Sequence, residues 1–320
     1  MASGGEFDFI RTRLGPLTRN HAAALGLRDD AAVLDVPAGQ QLVLACDTLV
    51  AGVHFRADDG AAVAAARAMR SNVSDLAAMG AQPLGYLSAL SWPRGIDPRW
   101  RDDFVAALAE EQDRFGLVLL GGDTTSTPGP MTVTLTLLGC VIEGTSLLRS
   151  GAIAGDDVWV TGTIGDAVLG LASLEGETGA PAELVPRYTH PTPRLPAGLA
   201  LRGIATSAID ISDGLLADAA HIAEASRLAL EISADRVPLS APARAWLDAG
   251  GEGGLGRLLS GGDDYELLFT APASRRSEVE ALSLDAPVTR IGRALDGEGV
   301  TCLGSDGQAV KIDRAGFTHF

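Results

Sequence analysis

Lysine is all but missing from this chain of 320 residues: Lys311 is the sole example, so arginine carries nearly all the positive charge. That absence excludes two ways of holding a nucleotide. A Walker A loop must end in Gly-Lys-Ser/Thr, and a protein kinase places a strand lysine beside the phosphates. If the chain handles ATP, its phosphates fall to metal ions, arginine and backbone amides. Cysteine is scarce as well: Cys46, Cys140 and Cys302 are scattered, forming neither a disulfide framework nor a CxxC pair. HExxH and Gly-x-Ser-x-Gly are absent, which leaves zinc hydrolysis and acyl transfer without a motif. No apolar run is long enough to cross a bilayer, and the start at Met1–Glu6 lacks the basic and apolar regions of a secretory signal. The expectation is a cytoplasmic protein with no membrane partner. A net charge of −16 argues against nucleic acid, which needs a basic face.

What is present is a large apolar fraction, 46% of residues, in a chain long for one core and comfortable for two. Leu117–Leu120 reads as a buried strand running into Gly121-Gly122, where a sharp turn is expected, then Asp123-Thr124-Thr125. Related patterns recur: Leu42–Cys46 meets Asp47, Ala208-Ile209 meets Asp210-Ile211-Ser212-Asp213-Gly214, and Arg28 precedes Asp29-Asp30. Asp75 stands three residues after Asn72 in an alanine-rich helix, hence on the same face. Each aspartate alone is an ordinary turn or cap residue, and Asp213 is placed to cap the following helix. Together they suggest one convergent set of oxygen ligands, tolerable only if hard cations neutralise it. Gly121-Gly122 and Gly261-Gly262 can bring bare amides to a phosphate or simply make tight turns. Arg149 is a phosphate-clamp candidate against the plainer reading of a surface arginine. His54 alone reads as an ordinary histidine, and Phe317 and Phe320 as tail packing that could stack on a planar ring.

In chain order, a short helix and connector are expected over 6–25, then an acidic turn entering a strand by Leu34. A strand over 41–47 follows, then a helix from about Gly60, capped by Asp58-Asp59 and closed by Gly80. Strands over 85–92 and 131–137 flank a helix that starts at Asp97-Pro98 and stops at Gly116. A junction lies near 143–155. Beyond it, a strand at 157–161 and a helix from about Asp166 precede a loop or lid at 175–196. The helix Leu215–Ser226, a flexible tract at 250–256 and short strands near 288–293 and 308–313 complete the series.

In this order and spacing, several segments resemble the thiamine-monophosphate kinases of the aminoimidazole-ribonucleotide-synthetase-like superfamily. They are Asp29–Val33, Asp47–Phe55, Asn72–Ala81, Gly121–Thr125, Asp210–Leu215 and Ser260–Leu267. The resemblance implies transfer of the γ-phosphoryl group of ATP to thiamine monophosphate, giving thiamine diphosphate and ADP. It implies an α/β plus α+β architecture of two domains, 1–143 and 144–320. The first is a mixed sheet with helices that binds ATP and magnesium and forms a homodimer through its sheet. The second is an α+β domain that completes an active site lying between the two. By position, Asp30, Cys46, Asp47, Asp75, Asp123, Asp210 and Asp213 fall at metal-ligand positions for several Mg2+ ions. Gly122, Asp123, Arg149 and Ser212 would face ATP, and His54, Asp263 and Phe320 the thiamine.

Two departures stand out. Ala45-Cys46 replaces a pair of hydroxyl residues common in the family, and a thiol is a poor magnesium ligand. Asp263 stands where a glutamate is expected, one methylene shorter. The acceptor is already a phosphate, so no strong general base is required; the barrier is repulsion between two polyanions, which metals and Arg149 would screen. Within the superfamily, the hydrogenase-maturation proteins imply a C-terminal cysteine where this chain has Phe320. Selenophosphate synthetases imply a reactive N-terminal cysteine or selenocysteine. A non-catalytic acidic metal-binding module is the alternative from a different class.

Overall fold

The computed structural model describes residues 6–282, 284–310 and 316. They divide into two compact units. One runs to Leu76 and resumes over Ala81–Gly144; the other takes Ala77–Gly80 and continues from Thr145. A single cut at residue 143/144 does not anticipate the short piece 77–80.

The first unit is built on a four-stranded sheet of β1 (Gln40–Val50), β2 (Gln82–Pro93), β3 (Leu119–Thr127) and β4 (Thr132–Ile142), in the order β1-β4-β2-β3. Only β2 and β3 pair in parallel, so the sheet is mixed. Alternation decides which face is covered. In β4, Val133, Leu135 and Leu137 are buried while Thr132, Thr134 and Thr136 are half-buried. The apolar face packs on the helices Ala61–Ala78 and Pro98–Phe115. A Cβ on Gly139 would sit 3.2 Å from Leu76 Cδ2, and the Tyr86 hydroxyl donates to Gln112 Oε1 at 2.9 Å. Buried Arg70 and Glu111 join these helices through two 2.7 Å bonds. The opposite face leaves Leu44 64% exposed, with Leu87 and Ile142 also open. Pro98–Phe115 begins as the sequence predicts: Asp97 accepts from the Arg99 amide, Pro98 follows, and Gly116 ends the helix at φ 68°.

The second unit holds six strands: β5 (Asp156–Thr161), β6 (Ser207–Asp210), β7 (Ala229–Ser233), β8 (Leu267–Pro272), β9 (Val288–Leu295) and β10 (Gly299–Leu303). Their order is β10-β7-β9-β5-β8-β6, antiparallel except for β10 with β7. Every residue of β5 is buried, because both faces of this sheet are covered. Val158, Val160, Ile209 and Leu268 share one core with Leu215, Ala219 and Ile222 of the helix Leu215–Ser226. On the other side Trp159 stacks on Phe269 at 6.3 Å, within a cluster that includes Ala77, Ala197 and Leu201.

Several local expectations change. Residues 31–36 form no strand. Asp58 and Asp59 turn back to Arg56, pairing with its guanidinium and its amide, rather than capping the next helix. Gly121 and Gly122 lie inside β3, not at a turn. The stretch 175–196 contains the helical segments Ala182–Leu184 and Val185–Thr189, with Leu184 and Tyr188 buried, so it is packed structure rather than an open loop. Gly254 already opens the helix Gly254–Ser260. Of the strand expected near 308–313, the described residues show a bridge between Leu303 and Ala309; residues 311–313 lie outside the described ones.

Candidate active site

The strand register of the first unit sorts its acids. Asp47 pairs with Leu135, Leu135 with Ser88, and Ser88 with Gly122, forming one row across the sheet. Thr48, Thr134, Ala89 and Asp123 form the next row, so Asp123 falls on the opposite face from Asp47. The two strands also stand at opposite edges, three spacings of about 4.8 Å apart. The single convergent set expected from the sequence is therefore divided within this unit. The physical reason is that Asp47 and Asp123 sit inside strands, where adjacent rows alternate faces, and not at strand ends.

On the helix-covered face, the Asp47 amide donates to Asn72 Oδ1 at 3.1 Å, and Asn72 Nδ2 donates to the Ala68 carbonyl. Burial pushes the Asp47 carboxyl above the usual carboxylate range, against the opposing pull of a Ser71 hydrogen bond and of His54. Asp75, half-buried, follows one helical turn after Asn72. His54 is fixed by its own turn: its Nδ1 accepts from the Val50 amide at 3.0 Å, which leaves the ring proton on Nε2, and its carbonyl accepts from Arg67 Nε at 2.9 Å. Cys46, one residue before Asp47 and so on the opposite face, is exposed, and its sulfur accepts from the Thr136 hydroxyl at 3.3 Å.

On the other face a cavity of about 540 Å³ brings Asp29, Asp30 and Asp123 together with Gly121, Gly122 and Ser88. Its remaining wall is apolar, supplied by Ile10, Leu14, Leu27, Leu87 and Leu138 among others. Acids and aliphatic groups in one cavity suit a ligand with a charged part and an apolar part. Gly122 is required by proximity: a Cβ there would stand 1.9 Å from the Ser88 carbonyl oxygen.

In the second unit the chemistry gathers on the turn after β6. Asp210 is buried, while Ser212 and Asp213 are half-buried. Asp213 does not cap the helix Leu215–Ser226; Gly214 holds the N-cap position without a side-chain bond. Asp218, one turn into that helix, reaches back instead, and its Oδ2 accepts from the amides of Ser212, Asp213 and Gly214, each at 3.1 Å. Burial, then the nearby carboxylates of Asp210 and Asp213, push Asp218 up to about 8. Ligand atoms of Asp213, Asp218 and His221 lie within 4.8 Å of one another. Arg149 is exposed, one residue after Leu148, whose carbonyl accepts from the Ala208 amide of β6 at 2.9 Å.

The segment Gly261–Glu266 closes against that turn. Asp263 donates its amide to the Ser212 carbonyl and Tyr265 to that of Ile211, both at 2.8 Å. Asp263 and Tyr265 are held at φ 71° and 51°, left-handed values that non-glycine residues adopt at a cost. The Tyr265 hydroxyl donates to Asp263 Oδ1 at 3.1 Å. Next to them, fully buried Glu266 takes two 2.6 Å bonds from Arg194, one from Arg187 and one from the Thr161 hydroxyl. Asp264 is buried as well and accepts from the amides of Gly165 and Ala167. Phe317 and Phe320 lie outside the described residues. Asp218 and Asp264 were missed at the level of sequence; the signal for Asp218 was its place in the first turn of a helix that follows an acidic turn.

Two family models match the chain. AIR synthase related protein, N-terminal domain, covers residues 28–141, and AIR synthase related protein, C-terminal domain, covers 154–303. Thiamine-monophosphate kinase of Caulobacter vibrioides is 44% identical over 319 residues, spanning 98% of this chain and 90% of that one. The crystal structure of thiamine-monophosphate kinase from Stenotrophomonas maltophilia K279a is similar at a TM-score of 0.84 and 41% identity, over 96% of this chain and 98% of that one. A structure of AaThiL complexed with AMPPCP and TMP is similar at a TM-score of 0.79 and 30% identity, over 99% and 97%.

Proposed function

This chain belongs to the thiamine-monophosphate kinase family of AIR synthase related proteins, and we propose that it transfers the γ-phosphoryl group of ATP to the phosphate of thiamine monophosphate. The observation that carries the proposal is the full-length likeness to AaThiL complexed with AMPPCP, an ATP analogue, and TMP. An oxygen of the acceptor phosphate attacks the γ-phosphorus, the bond to the bridging oxygen breaks, and ADP departs with that oxygen. The acceptor oxygen is ionised at neutral pH, so no side chain has to remove a proton. Arg149 supplies a fork of donors to the ATP phosphates, and the Ser212 hydroxyl is assigned to the same nucleotide. Gly122 allows close backbone approach and Asp123 shares that position. His54, through Nε2, and Asp263 are assigned to the thiamine moiety, with Phe320.

The donor set fits magnesium. It consists of carboxylate oxygens, the donors a hard cation takes, and ligand atoms of Asp213, Asp218 and His221 already lie within 4.8 Å of one another. Asp30, Asp47, Asp75, Asp123, Asp210 and Asp213 are the proposed ligands of several ions; because Asp47 and Asp123 lie on opposite faces of the first sheet, no single ion takes both. The thiol of Cys46 is a poor partner, so Asp47 serves that position. Bound magnesium ions would screen the repulsion between the phosphates and favour in-line alignment. Residues 1–143 are assigned to ATP and metal binding and 144–320 to completing the site.

A homodimer formed through the first sheet accompanies this reading, as does a cytoplasmic location. The open sheet face, with Leu44 and Ile142 exposed away from the cavity, supports association; Leu44→Asp is expected to give monomers in sedimentation. Among the described residues no helix is long and apolar enough to cross a membrane. The test of function is chromatography of the products. With ATP and Mg2+, thiamine monophosphate should yield thiamine diphosphate, whereas unphosphorylated thiamine should not be converted; no product from thiamine monophosphate would refute the proposal.

A further inference from the structure

Three consecutive amides, those of Ser212, Asp213 and Gly214, converge on one oxygen of Asp218. Successive amides that converge in this way form a nest, an arrangement that binds anions such as phosphate. Here the nest is filled from within by a side chain four residues beyond Gly214. The carbonyls of the turn are engaged too: Ile211 and Ser212 accept from Tyr265 and Asp263, and the Ile211 amide donates to the Glu266 carbonyl. Neighbouring glycines seal the packing. A Cβ on Gly262 would meet the Ser212 carbonyl oxygen at 2.3 Å, and one on Gly214 would meet that of Ser260 at 2.7 Å. With its backbone donors consumed, the turn offers a ligand the side-chain oxygens of Asp210, Ser212 and Asp213.

We propose that Asp218 is the positioning residue of this turn: by filling the amide nest it converts an anion-binding loop into one that presents carboxylates and a hydroxyl to a divalent cation. The inference rests on the functional reading above, because it takes Asp210 and Asp213 as magnesium ligands. Asp218 acts through acceptor geometry. One well-placed oxygen suffices, so asparagine, whose Oδ1 can take the same three bonds, should replace it, and alanine should not.

The test uses the full chain and the variants Asp218→Asn and Asp218→Ala. Hydrogen exchange is measured first, without metal or nucleotide, followed by calorimetric titration with Mg2+ alone and by kcat and KM for Mg·ATP. Asp218→Ala should speed exchange at residues 212–214 by about tenfold or more, with the rest of the helix Leu215–Ser226 unchanged. The same variant should weaken Mg2+ binding and raise the KM for Mg·ATP by about tenfold, whereas Asp218→Asn stays within about threefold of the parent throughout. Exchange that accelerates along the whole helix, or Mg2+ binding unchanged in Asp218→Ala, would overturn the proposal. So would an Asp218→Asn variant as impaired as alanine. If Asp218→Ala does not fold, Asp218→Asn decides alone: parent-like binding supports the inference and tenfold loss refutes it. Should the protein make no thiamine diphosphate, the functional reading fails while exchange and Mg2+ titration still judge Asp218.

Discussion

In the first unit Gly121-Gly122-Asp123 runs through β3, whereas in the second Gly261-Gly262-Asp263 leaves the helix Gly254–Ser260 and bends before β8. The tripeptides are identical in sequence and differ in backbone: Asp123 lies within a strand, whereas Asp263 is left-handed. They share the reason for glycine: Gly122 passes against the carbonyl of Ser88 and Gly262 against that of Ser212, at distances no Cβ tolerates. They differ in the setting of the acid. Asp123 is exposed in an extended strand, its Oδ1 accepting from the Thr124 amide, while Asp263 is half-buried at φ 71°. A Gly-Gly-Asp sequence thus reports close backbone approach next to an acid; whether the chain turns there is set by its neighbours.

The largest effects should come from filling those approaches. Gly122→Ala places a methyl group 1.9 Å from a backbone oxygen, and Gly262→Ala one 2.3 Å away, so neither clash can be relieved by rotating a side chain. Each should lose roughly 3–5 kcal/mol in denaturant unfolding, with Gly122→Ala the worse. Equal stability of Gly122→Ala and parent would remove the shared explanation.

The next residue along each tripeptide sharpens the contrast. Thr124 is buried and accepts from Trp92 Nε1, whereas burial pushes the Asp264 carboxyl up to about 8 despite the amides of Gly165 and Ala167. The folded protein therefore keeps a proton that the unfolded chain releases near pH 4. This contribution to stability is complete below that pH and is lost as the pH rises through about 8. Asp264→Asn has no such proton, so the gap in melting temperature between parent and variant should shrink from about pH 5 to about pH 8; a constant gap would contradict the assignment.

The smallest effect concerns the turn itself. Asp263→Gly should gain about 1 kcal/mol of stability by relieving the left-handed backbone, while raising the KM for thiamine monophosphate. No gain in stability would mean that the Tyr265 hydrogen bond outweighs the strain.

These contrasts show why part of the molecule was legible in its sequence. The caps of Pro98–Phe115 are local devices, and Asp97, Pro98 and Gly116 announce them without reference to any neighbour. The alternation of β4 likewise reflects a sheet with one open face. Gly122 is different, since its cause is Ser88 on another strand, and sequence alone suggests a turn. The division of Asp47 from Asp123 depends on register across four strands, which neither segment encodes by itself. Asp218 was overlooked because an aspartate in a first helical turn is ordinary; only three convergent amides set it apart. Leu184 and Tyr188 illustrate the converse: a Gly- and Pro-rich composition suggested a loop, but their burial organises it.

We propose that Asp123 and Asp210, one from each unit, are both needed for phosphoryl transfer. The direct measurement is thiamine diphosphate formation by Asp123→Asn, from the first unit, and Asp210→Asn, from the second, at saturating ATP and Mg2+. Both variants should fall by about 100-fold or more in kcat/KM while Asp123→Asn, altered at an exposed position, melts with the parent. Near-parental turnover in either variant would contradict the account.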